Sequence, residues 1–121
     1  MDLQALLACT RGQLLTVCAE PHLPILGVGA ADLMSDVLAC VKPGAVLLTG
    51  LCNLQVVRTA QLADVAAVVF ARGKQPDAAT IALANAEGIP LISSPFGLFE
   101  LCGRLYQQGV PSWERQLNGA D

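Results

Sequence analysis

The spacing of apolar positions changes several times along the chain. Leu3, Leu6 and Leu7 recur at helical intervals and predict a short amphipathic helix ending near Thr10-Arg11-Gly12. QLLTVC (13–18) and PILGVG (24–29) are short apolar runs bounded by glycine and proline, compatible with strands. Leu33, Val37, Leu38 and Val41 then form a helical stripe closed by Lys42-Pro43-Gly44, and AVLLTG (45–50) is a continuous apolar run, the pattern of a strand buried on both faces. Asn53 is suited to cap a helix reaching about Ala63, AAVVFA (66–71) reads as a second buried strand, and Pro76-Asp77 opens a helix that stops at Gly88. PLISS (90–94) is the third buried strand. Leu98, Leu101, Cys102, Leu105 and Tyr106 form an apolar helical face, with Glu100 and Arg104 paired on the opposite side. PSWERQLNGAD (111–121) is polar and is expected to fray apart from Trp113.

Strands alternating with helices of about ten residues imply parallel strands joined by right-handed crossovers and covered on both faces, an α/β architecture. At 121 residues, with no linker and no low-complexity tract, the chain reads as one domain with a core over about 12–110 and a polar tail at 111–121. In a parallel sheet the carboxyl ends of the three strands bring Thr49, Gly50, Arg72, Gly73, Ser93 and Ser94 to one edge, where α/β folds present their ligands.

Composition narrows the function classes. With 54% hydrophobic and 14% charged residues, little polar surface is left to cover a monomer, so self-association is expected. A net charge of -3 with seven scattered Lys and Arg gives no footprint for nucleic acid. Cys9, Cys18, Cys40, Cys52 and Cys102 are odd in number, widely spaced and without a C-x-x-C pair, which is neither a zinc pattern nor a disulfide framework. They read as small reduced thiols among Leu, Val and Ala. No apolar run is long enough to span a bilayer, and the N-terminus lacks a signal-peptide pattern, so the expected setting is cytoplasmic, with no membrane partner.

LGVGAADLMSDV (26–37) resembles the start of a dinucleotide-binding turn, but Asp32 stands where the third glycine belongs. A carboxylate there occupies the positive end of the helix and repels a phosphate. Gly27 and Gly29 are therefore expected to form a tight turn or bulge, with Asp32 capping the helix. Asp32, Ser35 and Asp36 fall within one helical turn and offer two carboxylates for acid–base work, yet residues of these types also favour helix starts simply as caps. Ser94 is equally readable as a cap before Pro95, and His22 lies in a proline-rich turn without an evident Cys or Asp partner. ARGKQPD (71–77) is the most site-like segment: Gly73 sits between Arg72 and Lys74 after a buried strand, and backbone N–H groups with two cations there suit a phosphate or carboxylate. Asp77, at the same helix start, competes for those donors. No G-x-x-x-x-G-K-[ST] run occurs, so kinase activity is not expected, nor is any catalytic residue, metal or cofactor assigned.

Taken in order, VGAADLMSDVLACVKPGAVLLTG, NLQVVRTAQLADVAAVVFARGKQPD and ANAEGIPLISSPFGLFELCGRLY resemble the DRTGG domain, over roughly residues 12–110. The most specific parts are DLMSDV, the Gly-Lys-x-Pro-Asp turn at 73–77 and EGIPLISSPFGLFELCGRLY. The match is to a stand-alone form of a module otherwise found in phosphate acetyltransferases and in pyrophosphatases carrying CBS domains, similar in fold to the N-terminal domain of HPr kinase/phosphorylase. The resemblance implies a three-layer α/β/α sandwich with a mainly parallel sheet, a dimer, and a regulatory rather than catalytic role. The chain departs from the family pattern at Arg72, where a further glycine is frequent, and at Cys52, where a polar or histidine residue is frequent. Two functions fit: a scaffolding or regulatory module contacting a larger metabolic or redox enzyme, or a sensor of a nucleotide or phosphorylated metabolite at Gly27, Gly29, Asp32, Thr49, Arg72, Gly73, Lys74, Asp77, Ser93 and Ser94.

Overall fold

In the computed structural model, which describes residues 1–17 and 20–116, the chain runs α1 (Leu3–Thr10), β1 (Gln13–Leu14), β2 (Gly27–Ala30), α2 (Met34–Cys40), β3 (Ala45–Thr49), α3 (Leu54–Ala63), β4 (Ala67–Phe70), α4 (Ala78–Glu87), β5 (Leu91–Ser93) and α5 (Leu98–Gln107). The apolar runs at β3, β4 and β5 are buried along their whole length because both faces of the sheet are covered. The sheet order is β1-β5-β4-β3-β2, with β2 to β5 parallel and β1 antiparallel to β5. The strand expected over 13–18 is observed only as Gln13–Leu14, since residues 15–17 are not in strand, and Cys18 lies outside the described residues.

Consecutive parallel strands lie side by side, so α2, α3 and α4 all pack on one face. There Val37, Val56, Val57, Ala60 and Ala84 meet Leu47, Val68, Phe70 and Leu91. The other face carries α1 and α5, whose Leu3, Leu6, Leu101 and Leu105 meet Val46, Leu48, Val69 and Ile92. The alternation Val46/Leu47 and Val69/Phe70 is the two-residue period of a strand dividing its side chains between two cores. This is the three-layer α/β/α sandwich with a mainly parallel sheet. Caps close three helices as local chemistry predicts: Asp2 Oδ1 accepts from Ala5 N, Asn53 Oδ1 from Val56 N and Asp77 Oδ1 from Thr80 N, while Gly88 ends α4 at φ 69°.

Three expectations are corrected. The stripe over α2 is Met34, Val37 and Val41, whereas Leu33, the N-cap, and Leu38, about 100° round the helix from Val37, are exposed. On α5 only Leu101 and Leu105 are fully buried, and Tyr106 faces solvent. Of the tail expected to fray, 117–121 lies outside the described residues, and 111–115 is not frayed. It forms a strap along β2: Val28 N donates to Pro111 O at 2.9 Å, Trp113 N to Val28 O at 2.8 Å, Lys42 N to Trp113 O at 2.9 Å and Arg115 N to Cys40 O at 2.7 Å. Trp113 holds it through Nε1 to Pro43 O at 3.0 Å, and its ring lies under Lys42 Nζ.

Candidate functional site

The carboxyl ends of β2 to β5 gather at one edge of the sheet, as parallel pairing requires. Thr49, Phe70 and Ser93 stand in register across β3, β4 and β5. The helix after β4 lies on one face and the helix after β5 on the other, so the loops diverge between these two strands. This is where a doubly covered sheet can open a crevice.

In this chain that crevice is bridged by hydrogen bonds. Gly73 N donates to Ser94 O at 2.6 Å and Arg72 N to Phe96 O at 2.8 Å. Ser93 Oγ donates to Lys74 O at 2.8 Å. Arg72 and Gly73 take consecutive left-handed conformations, at φ 60° and 67°, to aim their N–H groups this way. For Gly73 this is free, and for Arg72 it costs about 1–2 kcal/mol. The two cations of the turn do not converge. Lys74 Nζ donates to Gly50 O, on the β3 side, while Arg72 extends beside Gly97, on the β5 side, with its Nε 3.7 Å from where a Cβ on Gly97 would sit.

The β3 side is likewise occupied from within. Asp32 Oδ1 accepts from Gly50 N at 2.7 Å and from Thr49 Oγ1 at 3.1 Å, and Thr49 Oγ1 accepts from Leu51 N at 3.1 Å. Asp32 therefore does not cap α2, whose N-cap is Leu33 without a side-chain bond. It ties the β2–α2 loop to the end of β3. Asp77 Oδ1 accepts from Thr80 N at 2.9 Å and Thr80 Oγ1 at 2.7 Å, which lowers its pKa below the usual aspartate value, the hydroxyl contributing most.

Thr49, Arg72, Gly73, Lys74, Asp77 and Ser93 thus reach one edge with Asp32. Ser94 joins it through its backbone carbonyl, whereas Gly27 and Gly29 lie within β2. Gly27 pairs with Ala45 at the amino end of the sheet, and both it and Gly29 are strand residues rather than a turn. A Cβ at Gly27 would lie 2.5 Å from Trp113 Cβ, and one at Gly29 would lie 2.7 Å from Val41 Cγ2, so these glycines admit close neighbours and do not cradle a phosphate. Ser94 is fully buried, donating to Thr10 O at 2.8 Å and accepting from Phe96 N at 3.2 Å.

Two features escaped the sequence. His22 Nδ1 lies 3.2 Å from Asp2 Oδ2, so the histidine has an acidic partner, at the start of α1. Phe96 lies under two guanidinium groups, Arg104 at 4.0 Å and Arg11 at 5.7 Å from the ring centre. His22–Asp2 and Phe96–Arg11 join residues far apart in sequence, and Phe96–Arg104 spans a turn and the start of a helix, so no periodic pattern announces them. Among the described residues, no three His, Cys, Asp or Glu side chains gather to hold a metal ion, and no helix is long and apolar enough to cross a membrane.

The described cysteines, Cys9, Cys40, Cys52 and Cys102, are free and half-buried. Burial pushes the Cys9, Cys52 and Cys102 thiols above their ordinary 9.0; at Cys52 the Lys74 ammonium partly opposes this, while Asp77 adds to it. A thiol held protonated is a poor nucleophile. Native alkylation is therefore expected to be slow at pH 7–8 and complete only on denaturation. Because the folded pKa exceeds the unfolded one, the thiols' stabilising contribution is full below pH 9.0 and is lost as pH rises through the folded values. A urea titration should show stability falling from that pH upward, and fast native labelling of Cys52 would contradict the burial argument.

No family model and no curated protein matches the chain. Among solved structures it is similar to the CBS and DRTGG domains of the regulatory region of Clostridium perfringens pyrophosphatase, a structure complexed with the activator diadenosine tetraphosphate. The TM-score is 0.73 at 19% identity, over 97% of this chain and 51% of that one. The chain thus spans about half the length of that structure, and its fold is DRTGG-like, in agreement with the resemblance read from its sequence.

Proposed function

We propose that this domain is a non-catalytic regulatory or scaffolding module, cytoplasmic, which homodimerises and acts by contact with a larger metabolic or redox enzyme. One observation carries the reading: the crevice between β4 and β5 is bridged by Gly73–Ser94, Arg72–Phe96 and Ser93–Lys74 hydrogen bonds, so the donors that would greet a ligand already have partners. Large apolar side chains, by contrast, stand in solvent, among them Leu33, Leu62, Phe99 and Tyr106. The similar fold belongs to the regulatory region of an enzyme, which supports a regulatory role. The free, half-buried thiols fit a reducing compartment.

A second reading, a sensor of a nucleotide or phosphorylated metabolite, draws on the nucleotide activator bound to that similar structure and on exposed Arg72. Thermal unfolding with ATP, diadenosine tetraphosphate and sugar phosphates separates the two. The scaffold predicts no shift, whereas a ligand at about a hundred times its Kd stabilises by about 2.7 kcal/mol. Such a shift, weakened several-fold in the Arg72→Ala/Lys74→Ala double variant, would replace the scaffold with the sensor. That variant should otherwise unfold within about 0.5 kcal/mol of the parent, since both side chains lie in an exposed loop.

A further inference from the structure

The outer surface of α5 carries two large aromatic side chains in solvent, Phe99 at 93% and Tyr106 at 80% exposure. Seven residues apart, they fall on one stripe of the helix, with Gly103 between them. The buried Leu101 and Leu105 point the other way, into the sheet. A glycine in a helix interior is unfavourable relative to alanine. Among the described residues nothing requires one at 103, because a Cβ there would meet no atom of theirs within 4 Å.

We propose that this stripe is the contact between two copies of the chain, with α5 packed antiparallel on α5 of the second copy about a two-fold axis near Gly103. The proposal rests on the homodimer of the preceding section and assigns its face. The order aromatic–glycine–aromatic reads the same in both directions. In the antiparallel pair Phe99 therefore meets Tyr106 of the second copy and Tyr106 meets its Phe99, the self-complementarity that an isologous interface demands. Gly103 lets the two backbones approach at the crossing.

Charge does not oppose the pairing, since Glu100 and Arg104 neutralise each other within the helix at 2.9 Å. Area favours a second copy over an unrelated surface. Aromatic side chains bury about 150–250 Å² each, so the four in a symmetric pair supply about 600–1,000 Å² of the roughly 1,200–2,000 Å² that a stable interface buries. One copy against a plain surface supplies half of that. A recess of about 160 Å³ opens beside Tyr106, lined by Val28, Cys102 and Val110 and by the polar Ser112 and Glu114.

Light scattering over a micromolar dilution series of the full chain tests this, with circular dichroism to check folding. The parent should have about twice the 12.6 kDa chain mass, and Phe99→Lys/Tyr106→Lys should have the mass of one chain. Gly103→Leu, which favours the helix but fills the crossing, should raise the dimer Kd at least about tenfold without loss of helix signal. Leu38→Lys/Leu62→Lys, on the opposite layer, should leave the dimer intact. A parent that stays at one-chain mass throughout would remove the homodimer itself. A parent dimer that survives both α5 variants, or dissolves only with the Leu38/Leu62 pair, would leave the homodimer standing and overturn the α5 face. Should the double lysine variant fail to fold, Gly103→Leu alone decides between these outcomes.

Discussion

Replacing Phe70 with alanine is expected to destabilise the domain by about 3–5 kcal/mol, a large part of the roughly 5–15 kcal/mol that holds a typical domain folded. Phe70 is the largest of the fully buried side chains and fills the space between the sheet and the α2–α4 layer. Truncation removes the transfer energy of the ring and leaves a cavity walled by β-strands that cannot collapse around it. The residue also ends β4, and its carbonyl accepts Ser94 N at 2.9 Å, so the cavity opens directly beneath the bridged β4–β5 crevice. Urea unfolding should show a lower midpoint at unchanged slope. A loss below about 1 kcal/mol would mean that this core is not close-packed at its centre.

Gly27→Val sets two rules against each other. Valine suits a strand, and the Gly27 backbone is not in the left-handed region, so propensity alone predicts a gain. The geometry predicts the reverse. A Cβ at this position would lie 2.5 Å from Trp113 Cβ and 2.8 Å from Pro111 O, the latter being backbone that cannot step aside without moving the strap. Overpacking costs about 1–3 kcal/mol, and the strap should detach in preference to the sheet. The chain has one tryptophan, so Trp113 emission reports the event: a red shift with retained helix signal is expected. A more stable variant with unchanged emission would show that the strap does not press on β2.

Much of the fold is legible because its signals are local. The continuous apolar runs at β3 and β4, the caps Asn53 and Asp77, and the stop at Gly88 all lie within a few residues of the structure they specify. That Thr49, Arg72, Gly73, Lys74 and Ser93 share an edge follows from parallel pairing alone. What those residues do there is not legible. Asp32 looks like a helix cap because caps are read from neighbouring residues, yet its partners, Gly50 N and Thr49 Oγ1, arrive from the next strand. Gly27 and Gly29 look like a tight turn or bulge because glycines beside a helix start suggest one; the side chains that require them, Trp113 and Val41, come from elsewhere in the chain. The apolar pattern of α5 extends to Tyr106, and periodicity alone cannot tell a residue facing the sheet from one left in solvent.

The strap has a consequence for how the sheet meets other chains. A parallel sheet ends in a row of unpaired N–H and C=O groups, a template on which foreign strands can grow. Residues 111–115 occupy that row on β2, and the opposite margin, β1, is only two residues long. Neither margin offers a length of free backbone to a passing strand, so association is left to side chains, which can be selective. A chain ending at Val110 would uncover a glycine-rich, uncharged strand and exchange selective pairing for strand addition, the first step toward aggregation.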